Sequence, residues 1–355
     1  MTNNITPRKS NIELLRIIAS MFVIFLHYIN GGIGGGNSFV SGTINVFLMR
    51  IYQAVAFCAV DLFIMISGYF LCTTEKRKIS KIILLCIQAS IFSLSHYLIT
   101  CISGSATLSS IGIIKSLMAL GYFIVLYSVT YILSPLINIV INCHTDSSSL
   151  KRTTLILFTV FSLLSSIIDI LSSFNIMGID WNGMSTISNL GSIEGYTIVN
   201  FFLCYFIGAY IRKTDTALKK TSLLKILLIS ILALTTWGYI DWKSAYTYNN
   251  PFVILNGAVI FCIFLKINIK SSLINELSKS TFSCYLAHAY FFNFLHIEFH
   301  VKCGSIIFTL HMLASAILLY LICHLIYWIY LILTAKLTRY LSSVIDRTIK
   351  IQYIK

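Results

Sequence analysis

Apolar residues in this chain neither alternate nor recur in an amphipathic stripe; they continue for long uninterrupted stretches between short polar breaks. A membrane-spanning helix needs ~20 mainly apolar residues, and runs approaching that length lie near residues 12–30, 46–71, 80–101, 112–140, 153–173, 196–211, 223–240, 251–267, 281–299 and 305–333. Three of them, 196–211, 223–240 and 251–267, are short. The pattern predicts an all-α polytopic membrane protein of about ten transmembrane helices.

The breaks between runs differ in charge. "TTEKRKISK", "HTDSSSLKR", "RKTDTALKK", "KINIKSSLINELSK" and the tail from Lys336 carry most of the lysine and arginine. The alternate breaks "NGGIGGGNSFVSGT", "SGSATLSS" and "FNIMGIDWNGMSTISNLGSIEG" carry none. By the positive-inside rule both termini are cytoplasmic, which agrees with an even number of spans. The chain then reads as a single membrane domain over residues 1–355, with cytoplasmic tails at 1–11 and 336–355. No cleavable signal is expected, because residues 12–30 lack a small-x-small exit and further spans follow. The longest polar stretch, residues 174–195, is too short to bury a core of its own.

Composition agrees: 57% hydrophobic and 11% charged residues, with mean hydropathy +0.85, exclude an ordinary soluble domain. The net charge of +14 does not point to nucleic acid, since the basic residues fall between apolar runs and not on a soluble face with stacking aromatics. Ten cysteines lie mostly inside the runs with no CxxC pair, so they read as small core residues, and no disulfide framework or metal site is expected.

Against this background, ionisable residues inside the runs stand out. In "ELLRIIASMFVIFLHY", residues 13–28, the eleven-residue step from Arg16 to His27 returns to nearly the same helix face, ~16 Å further along the axis. Glu13 lies within ~60° of that direction and Ser20 within ~40°, which gives one polar stripe on an apolar helix. Such groups cost ~2.5–3.5 kcal/mol to insert, so the stripe should face a protein interior or a water-filled path. A plainer reading is available for each residue alone: Arg16 snorkels to headgroups and pairs with Glu13 at i,i+3, and His27 bonds a neighbouring helix. In the second run, "AVDLFIMISGYFL" places Asp61 near mid-membrane, where it needs a partner. Ser67, Gly68 and Tyr69 follow, then the basic run Lys76, Arg77, Lys78 and Lys81. Here too a structural reading stands, with Gly68 permitting close helix packing and the basic run anchoring topology.

These stretches, taken together, resemble acyltransferase family 3. "IELLRIIASMFVIFLHY" is similar to its first-span signature of an acidic residue, an arginine three on, and a histidine after ten more residues. "VDLFIMISGYFL" resembles its Asp…SGY/F motif, "GYFIVLYSVTYILSPLIN" its aromatics leading to Ser-Pro and Asn, "NFFLCYFIGAYIRK" its Phe-rich span ending in Gly and basic residues, and "LSKSTFSCYLAHAYFF" its late Tyr-Leu-x-His. Two departures are visible. The usual tryptophan of the third motif is replaced by Gly121 or Tyr122, and the arginine pair after the second span by Lys78 and Lys81, which lack the bidentate fork.

The resemblance implies an enzyme of about ten spans that moves an acyl group, commonly acetyl, from cytoplasmic acyl-CoA to a hydroxyl of a cell-surface or lipid-linked carbohydrate. It implies catalytic roles for Arg16 and His27 with Glu13 beside them, His27 as general base, and acyl-CoA as a co-substrate with no permanently bound cofactor. Donor-side candidates are Arg16, Asp61, Ser67, Gly68, Tyr69, Lys78, Lys81, Tyr285 and His288. The outer break supplies acceptor candidates in Trp181 and Glu194, with Asn182 and Asn189 beside them; Trp181 reads equally as an interface anchor. The expected location is a bacterial cytoplasmic membrane, and a homo-oligomer stays open. His296 and His300 in "HIEFH" lack the spacing of the zinc-protease motif, so no metal is assigned. His96, His311 and His324 read as intra-bundle hydrogen-bonders and His144 as a loop residue. Two other classes stay open beside the enzyme: a carbohydrate transporter or flippase, which would spread ionisable residues over both halves, often as repeats, and a non-catalytic membrane partner.

Overall fold

The computed structural model describes residues 8–30, 33–74, 77–144, 146–178, 181, 185–187, 194–214 and 218–348. Lys76, Asn182 and Asn189 lie outside the described residues. The architecture is all-helical, with no strand among the described residues. Among the described residues, seven helices are long and apolar enough to cross a membrane: Ser10–Ile29, Thr43–Leu71, Ile79–Ile102, Tyr122–Asn142, Ser147–Ser173, Lys220–Ile240 and Ser305–Thr348.

The other three runs of the sequence take different forms. Residues 196–211 become the Ile198–Lys213 helix of 16 residues and 251–267 the Pro251–Leu265 helix of 15, each shorter than a ~30 Å apolar slab demands. Both sit in the middle of the bundle, where protein and not lipid surrounds them. The run 281–299 is broken: an α-helix, Thr281–Ala287, passes into a 3₁₀ segment, His288–Leu295, and then a left-handed His296 with φ of 47°. The run 112–140 is also divided, into a short helix Ser110–Leu117 and the spanning Tyr122–Asn142, with Gly121 leading into the second. Conversely the last run extends without interruption into residues assigned to the tail, reaching Thr348 as a helix of 44 residues.

Two glycines set the tightest crossing. A Cβ on Gly68 would collide with the Tyr205 backbone carbonyl, and a Cβ on Gly208 with that of Met65. The helices Ala59–Leu71 and Ile198–Lys213 therefore meet backbone to backbone, the small-residue contact that membrane helices favour. A buried polar junction follows at the end of the first of these helices. Asn138 Nδ2 donates to the Leu71 and Thr74 carbonyls, Tyr205 OH donates to Asn138 Oδ1, and Arg77 Nε donates to Ser134 Oγ at 2.7 Å. The Ser-Pro…Asn stretch of the sequence is thus a clamp on the chain that leaves the second span.

Candidate functional site

The Ser10–Ile29 helix keeps its polar residues on one side. Arg16, Ser20, Val23 and His27 follow steps of four, three and four residues, so successive side chains stack along one face. That face lines a cavity of about 620 Å³. At the end nearest the chain start the cavity wall carries Arg8, Glu13, Arg16, Lys81 and Lys279; further along the helix axis it carries His27 and Asn30. The opposite wall comes from Phe123 and Tyr127 of the Tyr122–Asn142 helix, from Tyr196 and Tyr248, and from Tyr285 and His288 of the broken segment.

The cationic end is held by its own carboxylate. Arg16 donates to Glu13 at 2.6 Å, and Arg8 lies 3.7 Å from the same side chain. Glu13 is nearly buried, whereas Arg16 stays 31% exposed, so the guanidinium remains open to the cavity while one of its nitrogens is engaged. Lys81 donates to Tyr127 OH at 3.1 Å and lies 4.8 Å from the centre of the Tyr131 ring. The mouth gathers four cations beside Glu13 and Glu276, the latter paired with Lys279. A region with that balance attracts a polyanion such as a phosphorylated nucleotide.

At the far end, His27 Nδ1 lies 2.5 Å from His288 Nε2, with the two ring planes within 4° of parallel. His288 is buried, and its Nδ1 lies 2.6 Å from the Cys284 carbonyl. The aromatic wall faces this pair. Tyr196 and Tyr248 rings are 4.7 Å apart, and Tyr122 is 5.2 Å from Tyr196. Burial pushes the Tyr248 phenol above its ordinary pKa, so it faces the cavity as a neutral ring bearing a hydroxyl. Gly121 lies against the Tyr285 hydroxyl, and any side chain there would displace it.

Of the residues singled out from the sequence, the cavity brings together Glu13, Arg16, His27, Ser67, Lys81, Tyr285 and His288. The others lie elsewhere. Gly68 serves the helix crossing, and Tyr69 OH accepts from Arg212 at 3.1 Å. The Lys78 side chain is 78% exposed and pairs with Asp346 at 3.7 Å, while its backbone N–H donates to Tyr131 OH. Asp61 is fully buried behind the wall; its partner is an amide and not a cation, Asn200 Nδ2 at 2.9 Å, which also donates to the Tyr248 carbonyl. Asp61 thus holds the segment that brings Tyr248 to the cavity. Trp181 is half-buried, its indole N–H without a partner among the described residues, and Glu194 is exposed in a left-handed turn with its carbonyl accepting from Tyr248 N.

Several lining residues carried no signal read from the sequence. Arg8 and Lys279 sit in polar breaks, and Tyr248 lies in "DWKSAYTYNN", a break whose Tyr246, Asn249 and Asn250 are buried. The one available cue was composition, since that break is rich in tyrosine and asparagine and poor in the charges of a solvated loop. The remaining histidines bond within the bundle or its turns: His311 with Tyr28, His324 with Ser280, and His144 with Thr153, while His96 stacks on Tyr290. Among the described residues no cluster of three or more histidine, cysteine or carboxylate side chains is poised for a metal.

Comparison with known proteins gives a single finding. No curated protein and no solved structure matches the chain. The family model for the acyltransferase domain of acyltransferase family 3 matches residues 9–329, nearly the whole length. This match, running from the first helix into the last of a bundle of apolar helices, shows that the chain belongs to acyltransferase family 3.

Proposed function

We propose that the protein transfers an acyl group, most readily acetyl, from cytoplasmic acyl-CoA to a hydroxyl of a carbohydrate at the other face of the membrane. The nucleotide of the donor docks at the cationic mouth, which is the cytoplasmic side, with Arg16 as its main contact and Lys81 beside it. Its thioester arm threads along the polar face of the first helix toward His27. His27 withdraws the proton of the acceptor hydroxyl, and the oxygen attacks the thioester carbonyl. The thiolate then leaves and recovers the proton from His27. Tyr196 and Tyr248 offer ring faces to the acceptor sugar, the role the sequence reading gave to Trp181.

One observation carries this reading: a single cavity is lined by Arg16 and by His27, eleven residues and ~16 Å apart on one helix face, so an anion held at one reaches the other without leaving protein. Proximity of this kind replaces a bimolecular encounter across the bilayer by an oriented, enclosed one. The test is incorporation of label from radiolabelled acetyl-CoA into envelope polysaccharide by membranes containing the protein. His27→Ala, with folding verified by its elution as a monodisperse species, should lose transfer on the order of 10²–10⁴-fold. Equal incorporation by the wild type and by membranes lacking the protein would discard the reading. Mass spectrometry of the surface glycans then identifies the acceptor, as one ester substituent missing from an otherwise intact sugar backbone.

A further inference from the structure

We propose that His288 fixes which nitrogen of His27 carries the proton, and is thereby the positioning residue of the transfer step; this rests on His27 acting as the base. The argument needs only donor and acceptor roles. A carbonyl oxygen accepts and never donates, so the 2.6 Å contact with Cys284 requires a hydrogen on His288 Nδ1. A neutral imidazole has one N–H, which leaves a lone pair on His288 Nε2. Its partner at 2.5 Å, His27 Nδ1, must then supply the hydrogen. Neutral His27 consequently bears its own lone pair on Nε2, the nitrogen with no protein partner among the described residues, on a ring that lines the cavity.

The opposite tautomer sets two lone pairs against each other at that contact and turns an N–H toward the substrate. Such a ring cannot accept the acceptor's proton. The anchor is built into the backbone: the Cys284 carbonyl also accepts the His288 backbone N–H, so the ring is tied to the turn that carries it. The change from α- to 3₁₀-helix begins at this residue, which is where a straight spanning helix gives way.

The step balances within the pair. The acceptor O–H bond breaks as His27 Nε2 takes the proton, the C–O bond forms at the thioester carbonyl, and the C–S bond breaks. The thiolate then takes the proton from His27 Nε2. While His27 is an imidazolium, its Nδ1–H remains directed at the His288 lone pair, which stabilises the charge; both ring nitrogens of His288 are engaged by protein.

Two variants separate this from plain packing. His288→Leu keeps bulk but offers no acceptor, whereas His288→Gln presents a side-chain carbonyl to His27 Nδ1–H. Transfer from labelled acetyl-CoA into envelope polysaccharide should fall on the order of 10²-fold in kcat for His288→Leu, with KM for acetyl-CoA within about twofold, and His288→Gln should recover at least about a tenth of the wild-type rate. Nitrogen-15 spectra of the histidine-labelled protein, with His27 assigned by its loss in His27→Ala, should show a protonated Nδ1 in the wild type and in His288→Gln and a mixture of tautomers in His288→Leu. An unprotonated Nδ1 on His27 in the wild type overturns the proposal, as does a glutamine variant no faster than the leucine one. Absence of transfer by the wild type with an Nδ1-protonated His27 would instead discard the acyl-transfer reading and leave the tautomer lock standing.

Discussion

Arg77 and Lys78 are neighbours in one basic run, yet burial gives them unrelated work. Arg77 is 7% exposed and spends its guanidinium on Ser134 Oγ, the Thr74 carbonyl and hydroxyl, and the Leu71 carbonyl. Lysine has neither the planar fork nor the number of donors to replace it. Arg77→Lys should therefore lose the buried bond to Ser134 Oγ, at about 1–3 kcal/mol, and lower the melting temperature in detergent by several degrees, while the Leu71 and Thr74 carbonyls keep Asn138 as a donor. Lys78→Ala breaks one long, exposed pair of the kind worth ~0–1 kcal/mol and should leave the transition where it was. Thermal unfolding of the two purified variants, side by side, checks both. In the sequence the two residues look alike, and the topological reading of the run covered them equally. What separates them is a serine 57 positions away, a tertiary fact that local pattern does not carry.

The Tyr122–Asn142 helix shows the same dependence at the level of an element. Pro135 has no N–H, so the Tyr131 carbonyl one turn back loses its usual partner. Ser134 Oγ supplies the replacement, donating to that carbonyl at 2.7 Å while accepting from Arg77. Ser134→Ala removes both bonds at a fully buried site and should cost about 2–4 kcal/mol of stability, read as a shift of the unfolding midpoint. The crossing of Gly68 and Gly208 makes a different demand. Either glycine changed to alanine forces the helices apart, at about 1–3 kcal/mol by overpacking. Once one has done so the second meets less resistance, so the double variant should cost less than the sum of the singles. Most elements were legible, because a run of ~20 apolar residues has few other outcomes than a buried or spanning helix. The break at residues 118–121 and the 3₁₀ passage at His288 were not. Both lie inside apolar composition, where hydropathy is blind to backbone geometry.

At the scale of the molecule, the polar stripe of the first helix becomes the floor of a cavity whose other walls come from the next two long helices and from elements as distant in the chain as Tyr285 and His288. The floor could be read from spacing alone, since eleven residues are three helical turns. The walls could not be read from spacing, because Tyr196, Tyr248, Tyr285 and His288 meet only when the bundle closes, and Asp61, outside the lining, accepts from Asn200. Continuity between the cationic mouth and the histidine pair is therefore the property that the proposed chemistry depends on, and it is testable apart from either end. Val23 lies on the cavity face between Arg16 and His27, one turn short of the histidine, and its side chain is neither charged nor hydrogen-bonding. Val23→Trp fills the path at that level with an apolar ring that membrane helices tolerate, and leaves Arg16, Lys81, His27 and His288 chemically unchanged. If the donor is threaded from mouth to histidine, transfer should fall on the order of 10²-fold or more, because a misplaced reacting group forfeits the orientation that makes the step efficient. Binding of adenosine 3′,5′-bisphosphate, which carries the nucleotide end without the pantetheine arm, should change only a few-fold, since its contacts lie below the obstruction. A variant that transfers at the wild-type rate would mean that the acyl group reaches His27 by another route.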